Sequence, residues 1–143
     1  LISWFFKLGV RPQKIEGEKW DLGIKINGKH IEIQCKSTLK IQSPDVYEPT
    51  GKVKRFGRYD FTVRKGAGKG NTRNYEQYDF DLLACVALDI DNVMFFTYED
   101  LLRPNGQMLT CKKISSRQFT TSDPEKSFYK AASKLLKSKK GVY

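Results

Sequence analysis

Apolar and polar residues alternate through Trp20-Asp-Leu-Gly-Ile-Lys-Ile26, the pattern breaks at Asn27-Gly28, and it resumes through Ile31-Glu-Ile-Gln-Cys-Lys36. Alternation marks a strand with one buried face, and Asn-Gly between two such runs predicts a two-residue type I′ turn. Trp20–Thr38 therefore reads as a β-hairpin. With Asn27 and Gly28 as the loop, Ile26 pairs with Lys29. That register sets Asp21 directly opposite Gln34, with Lys36 two residues further on. Asp21, Gly23, Lys25, His30, Glu32, Gln34 and Lys36 then share one face. Trp20, Leu22, Ile24, Ile26, Ile31, Ile33 and Cys35 share the other, apart from Lys29 beside the turn.

The remaining elements follow from periodicity and punctuation. Leu1–Leu8 reads as a helix end with Gly9 as its C-cap, and Val10–Glu16 as a first strand carrying Pro12. Ile41–Gly57, with Pro44, Pro49 and Gly51, reads as a loop. Tyr59–Arg64 alternates like a strand, and the glycine-rich Lys65–Thr72 like a flexible loop. Asp81–Leu88 is a continuous apolar run after its first residue, which predicts a strand buried on both faces. Asp91-Asn92 predicts a turn, Val93–Thr97 the next strand, and Tyr98–Leu102 a short helical turn. Ser122-Asp-Pro-Glu125 carries two capping signals: Asp123 before Pro124, and Ser122 with Glu125 as a capping box. A helix from Glu125 to Lys137 follows, with Phe128, Ala131, Ala132, Leu135 and Leu136 inward and Lys126, Lys130, Lys134 and Lys137 as an outer stripe. The order predicts a single α/β domain over residues 1–143, with a mixed central β-sheet flanked by helices.

Charge changes this picture more than composition does. The net charge is +10. Residues 52–73 hold eight Lys/Arg and one acid, 76–100 hold seven acids and no base, and 103–143 hold ten bases and two acids. Such segregation predicts a basic surface for a polyanion. No apolar run reaches membrane-spanning length, and no basic amphipathic helix presents exposed aromatics, so nucleic acid is favoured over a membrane. Leu1–Leu8 does not resemble a signal peptide. Cys35, Cys85 and Cys111 are odd in number and far apart, which fits small buried hydrophobes in a reducing, cytoplasmic compartment. One His and no Cys cluster argue against zinc.

The polar face of the hairpin carries the candidate chemistry. Opposed cross-strand Cβ atoms lie roughly 4.5–5.5 Å apart, so the oxygens of Asp21 and Gln34 can share one small ion. Mg²⁺ takes oxygen ligands and keeps several waters, and the Cys35 carbonyl can add a third protein ligand. Lys36 would stand beside the attacking water, orienting it, aiding its deprotonation or neutralising a phosphate oxygen. Glu32 shares this face, either as a ligand through water or as a partner of Lys25. His30, near the turn, reads as a surface residue.

At these residues the chain resembles the PD-(D/E)XK nuclease superfamily, in which an Asp on one strand is followed across a short turn by Glu or Gln, one residue, and Lys. Asp21, Gln34 and Lys36 match that pattern. Trp20 stands where Pro often precedes the Asp, and Ser37-Thr38 also fits. Within the superfamily the chain is most similar to group I intron-associated and phage endonucleases, which can carry the Gln variant. The resemblance implies a restriction-endonuclease-like core and a DNA endonuclease of homing type, using Mg²⁺, with Mn²⁺ as a substitute. Members usually carry a Glu on the helix before the hairpin. Leu1–Gly9 contains no acid, so that Glu lies upstream of residue 1 or is absent.

Arg55, Arg64, Lys65, Lys69 and Arg73 are the candidate DNA contacts, in and around a loop whose glycines leave backbone N–H groups for phosphates. Gly66–Thr72 lacks the spacing of a nucleotide-binding P-loop. Asp79 and Asp81, at the start of the buried strand, are either structural or close to the metal face. Cutting both strands of a duplex implies a homodimer or higher homo-oligomer. Two alternatives stay open: a structure-selective nuclease such as a junction resolvase, and a catalytically inactive DNA-binding module of the same fold.

Overall fold

A computed structural model describes residues 22–26, 28–66, 72–76 and 79–140. The helix expected at Leu1–Leu8 and the strand expected at Val10–Glu16 lie outside the described residues. So do Asp21, Asn27 and Lys69.

Among the described residues the centre is a four-stranded mixed sheet. Strands β1 (Leu22–Ile26) and β2 (Lys29–Thr38) form the hairpin. Ile26 pairs with Lys29 and Leu22 with Ile33, the register set by a two-residue loop. Gly28 sits at φ +77°, a conformation the type I′ turn needs and glycine adopts without strain. Three short ladder strands follow, β3 (Val46–Tyr47), β4 (Val53–Arg55) and β5 (Arg58–Thr62). Next come β6 (Arg64–Gly66) and β7 (Thr72–Asn74). The apolar run then forms β8 (Leu82–Ala87), which lies parallel to β2 and antiparallel to β9 (Asn92–Thr97). The sheet order is β1-β2-β8-β9. Central placement explains why β8 is apolar on both faces. A 3₁₀ turn (Glu99–Leu101), β10 (Cys111–Ser115), α1 (Ser116–Thr121) and α2 (Pro124–Lys140) follow.

The two sheet faces build two cores. On one, Leu22, Ile24, Ile31, Ile33, Leu82, Ala84 and Phe95 pack against Phe128, Ala131 and Ala132 of α2. These are the helix positions the sequence periodicity assigned to the core. Asp123 Oδ1 accepts from the N–H groups of Glu125 (3.0 Å) and Lys126 (3.4 Å), so Asp123, of the two capping signals, makes the cap. On the other face Leu83, Cys85, Met94 and Phe96 pack against Tyr59, Phe61, Ile114 and Phe119. That second layer is the antiparallel pair β5–β10 with the short α1, not a second long helix, so the expected flanking by helices holds on one face among the described residues.

Several segments differ from their sequence reading. The stretch 41–57 contains the paired strands β3 and β4. Arg64–Gly66 and Thr72–Asn74 pair antiparallel, so both ends of the glycine-rich segment are strand. The strand expected at 59–64 divides at Val63, whose N–H donates to Thr110 O (2.9 Å). The sequence reading lacked β10 and α1 altogether.

The outer edge of β9 is occupied by side chains. The outward N–H of Val93 donates to Asn92 Oδ1 (2.8 Å), that of Phe95 to Ser127 Oγ (2.9 Å), and that of Thr97 to Asp100 Oδ2 (3.0 Å).

Candidate active site

Hairpin alternation decides which side chains reach the site. Cys35 turns its side chain to the α2 core, so Gln34 and Lys36 turn to the opposite face, half-buried beside Leu83 and Cys85 of β8. That face looks toward the β6–β7 hairpin. Lys36 Nζ donates to the main-chain oxygen of Arg64 at 3.1 Å and lies 5.5 Å from the centre of the Tyr75 ring. A carbonyl and an aromatic face both favour an ammonium, so together they hold the Lys36 head group in one place.

The main chain of β2 adds a carbonyl oxygen. Glu32 O accepts Asp81 N–H (2.9 Å) and Thr38 O accepts Leu88 N–H (3.0 Å), so even-numbered residues turn their backbone groups toward β8. Odd-numbered residues turn theirs toward β1, and the Cys35 carbonyl points that way just past the Leu22–Ile33 pair. Gln34 and Cys35 thus offer neutral oxygens, suited in kind to a hard divalent cation. The negative charge such a cation needs would come from Asp21, outside the described residues. Among the described residues no group of three or more His, Cys, Asp or Glu is gathered as a metal site.

Asp79 is fully buried and is not on this face. It forms a two-pronged ion pair with Arg73, Nη1 to Oδ2 at 3.0 Å and Nη2 to Oδ1 at 3.1 Å, and accepts the Glu76 N–H at 2.8 Å. Arg73 therefore ties β7 to the start of β8. Asp81 Oδ2 accepts the Glu32 N–H (2.9 Å) and extends the β2–β8 ladder by a side chain. Both Asp residues are structural here. Arg64 enters the site through its carbonyl, a role invisible to sequence reasoning, which takes arginine by its charge. Arg55 is exposed on β4, Lys65 sits on β6 opposite Arg73 in the ladder, and Lys69 lies outside the described residues. Burial pushes the Cys85 thiol far up, which keeps it protonated and inert behind Lys36.

Neither a protein-family model nor a curated protein matches the chain. Among solved structures it is similar to a bacterial homing endonuclease, at 22% identity and a TM-score of 0.47, over 67% of this chain and 60% of that one. The matched part is thus less than two-thirds of that protein's length, and at this similarity nothing about the chemistry of this chain follows from it. Among the described residues no helix is long and apolar enough to cross a membrane.

Proposed function

We propose that this chain is a divalent-metal-dependent DNA endonuclease of homing type, acting as a homodimer or higher homo-oligomer. The observation that supports it best is Lys36: its ammonium is fixed by the Arg64 carbonyl and the Tyr75 ring, on the same strand face as Gln34. The likeness of Asp21, Gln34 and Lys36 to the PD-(D/E)XK pattern supports the same reading. Asp21, Gln34 and the Cys35 carbonyl would hold Mg²⁺ or Mn²⁺. When bound, such an ion polarises the scissile phosphate and acidifies water. Lys36 donates a hydrogen bond to a phosphate oxygen or to the attacking water, and its fixed position aligns that water before reaction. Arg55, Lys65 and Lys69 supply phosphate contacts that bring the DNA backbone to Lys36.

A second reading, a DNA-binding module without catalysis, is motivated by the neutral Gln34. Cleavage and band-shift assays on the same preparations, with varied linear and branched DNA and Mg²⁺ or Mn²⁺, separate the two. Wild type is expected to cut, while Asp21→Ala and Lys36→Ala bind without cutting. Preference for branched DNA would favour the resolvase alternative. If wild type and both variants bind alike and none cuts any substrate, the enzyme reading fails.

A further inference from the structure

The ribbon formed by β3 and β4 stands apart from both cores. Tyr47, Lys52, Lys54, Arg55 and Phe56 are all exposed. Val46 pairs with Arg55 and Tyr47 with Val53, and the register shift between them leaves Lys54 as the extra residue of a bulge. Its tip is a tight turn, with Pro49 as the second turn residue and Gly51 at φ +89° as the fourth, closed by Gly51 N–H to Glu48 O (2.9 Å).

The foot is held firmly. Asp45 Oδ1 accepts from both Gly57 N–H and Ser116 Oγ–H, and Ser116 N–H donates to Gly57 O (2.8 Å). A Cβ at Gly57 would lie 1.9 Å from the Ser43 carbonyl oxygen, so the two legs touch there. Arg117 stacks over Phe56 with its guanidinium carbon 5.6 Å from the ring centre.

An exposed two-stranded ribbon bearing three cations, a tyrosine and a rigid foot has the shape and charge of a groove reader. We infer that this β3–β4 ribbon enters the major groove of duplex DNA, with Lys54 and Arg55 facing base edges or flanking phosphates and Tyr47 packing in the groove. The B-form major groove is about 12 Å wide and admits a two-stranded ribbon, whereas the A-form major groove is too narrow. This rests on the nucleic-acid part of the proposed function but not on catalysis. Arg55 and Arg64, whose carbonyl holds Lys36, are nine Cα-to-Cα steps apart, so the foot of the ribbon at Arg55 can stand at most about 30 Å from that site. At roughly 3.4 Å per base pair, that limit sets the foot of the ribbon within about nine base pairs of the reacting phosphate.

The test uses the full chain without divalent metal and three probes of one mixed sequence: plain duplex DNA, the same duplex with glucosylated 5-hydroxymethylcytosine, whose sugar fills the major groove, and duplex RNA. Wild type should bind the plain duplex about tenfold or more tighter than either other probe. A Tyr47→Ser, Lys54→Ser, Arg55→Ser variant should bind plain and glucosylated DNA alike. Wild-type indifference to glucosylation, equal binding of RNA, or a variant that still discriminates would each overturn the inference. Discrimination by a wild type that never cuts when Mg²⁺ is restored would uphold the ribbon and defeat the endonuclease reading alone.

Discussion

Arg73→Ala separates a structural arginine from a DNA-contacting one. The Asp79 carboxylate is fully buried, while the Arg73 side chain is 37% exposed. Removing one partner of a buried ion pair costs about 3–5 kcal/mol, because the other charge remains desolvated. The exposed side of Arg73 would admit water to Asp79, which lowers the expected cost to about 2–3 kcal/mol. In a domain of this size that corresponds to a Tm lower by about 6–15 °C. Adding Asp79→Asn removes the stranded charge, so the two losses should be non-additive by about 1 kcal/mol or more in a thermal or denaturant double-mutant cycle. Arg73 also ties β7 to β8, and β6, paired to β7, supplies the carbonyl that holds Lys36. Cleavage should therefore fall more than DNA binding. An Arg73→Ala protein that melts with wild type but loses DNA affinity and salt sensitivity would refute this placement and return Arg73 to the DNA interface.

Phe128→Ala empties a fully buried site against Phe95 and should cost about 3–5 kcal/mol, read by denaturant unfolding. Burial raises the Asp100 carboxyl, but hydrogen bonds from Thr97 and Lys134 outweigh it and hold it below its ordinary value. A depressed carboxyl stabilises the fold fully above its unfolded pKa and ceases to as pH falls through the folded one. Stability should therefore decline from about pH 4 downward, with a shallower acid limb in Asp100→Asn, as measured by Tm against pH. DNA affinity should fall steeply with salt. Joint replacement of Lys126, Lys130 and Lys134 by Ala should reduce the log–log slope by up to about 2 if α2 touches phosphates, since Lys134 is already paired with Asp100 at 2.9 Å. An unchanged slope would place the helix away from DNA. Gln34→Glu adds a negative oxygen and should tighten Mg²⁺ binding in calorimetry.

Elements with a regular burial pattern were legible. The β1–β2 register, the buried β8 and the capped α2 follow from Asn27-Gly28, from the run Leu82–Ala87 and from Asp123-Pro124. What escaped has little periodicity to read. Cys111–Ser115 buries only Ile114 fully, and α1 is six residues long with Ser116 and Phe119 buried. In the 41–57 stretch the turn residues Pro49 and Gly51 were visible, but strands of two and three residues with exposed side chains show no alternation. In the candidate site, Gln34 and Lys36 share the face that alternation assigned them. The Arg64 carbonyl could not be foreseen, because a main-chain acceptor has no residue signature. Arg73 counted toward a basic segment, since charge alone does not tell whether a guanidinium meets solvent or an acid six residues away.

The side chains along β9 have a consequence for how copies of the chain can meet. An open edge strand is a template on which another strand, from a second copy or from a partly unfolded one, can grow the sheet outward. Here Asn92, Ser127 and Asp100 already take the three outward N–H groups that such a newcomer would have to bond. A strand arriving at this edge would first have to displace those side chains, so sheet-to-sheet fusion here, the first step toward a fibre, is opposed hydrogen bond by hydrogen bond.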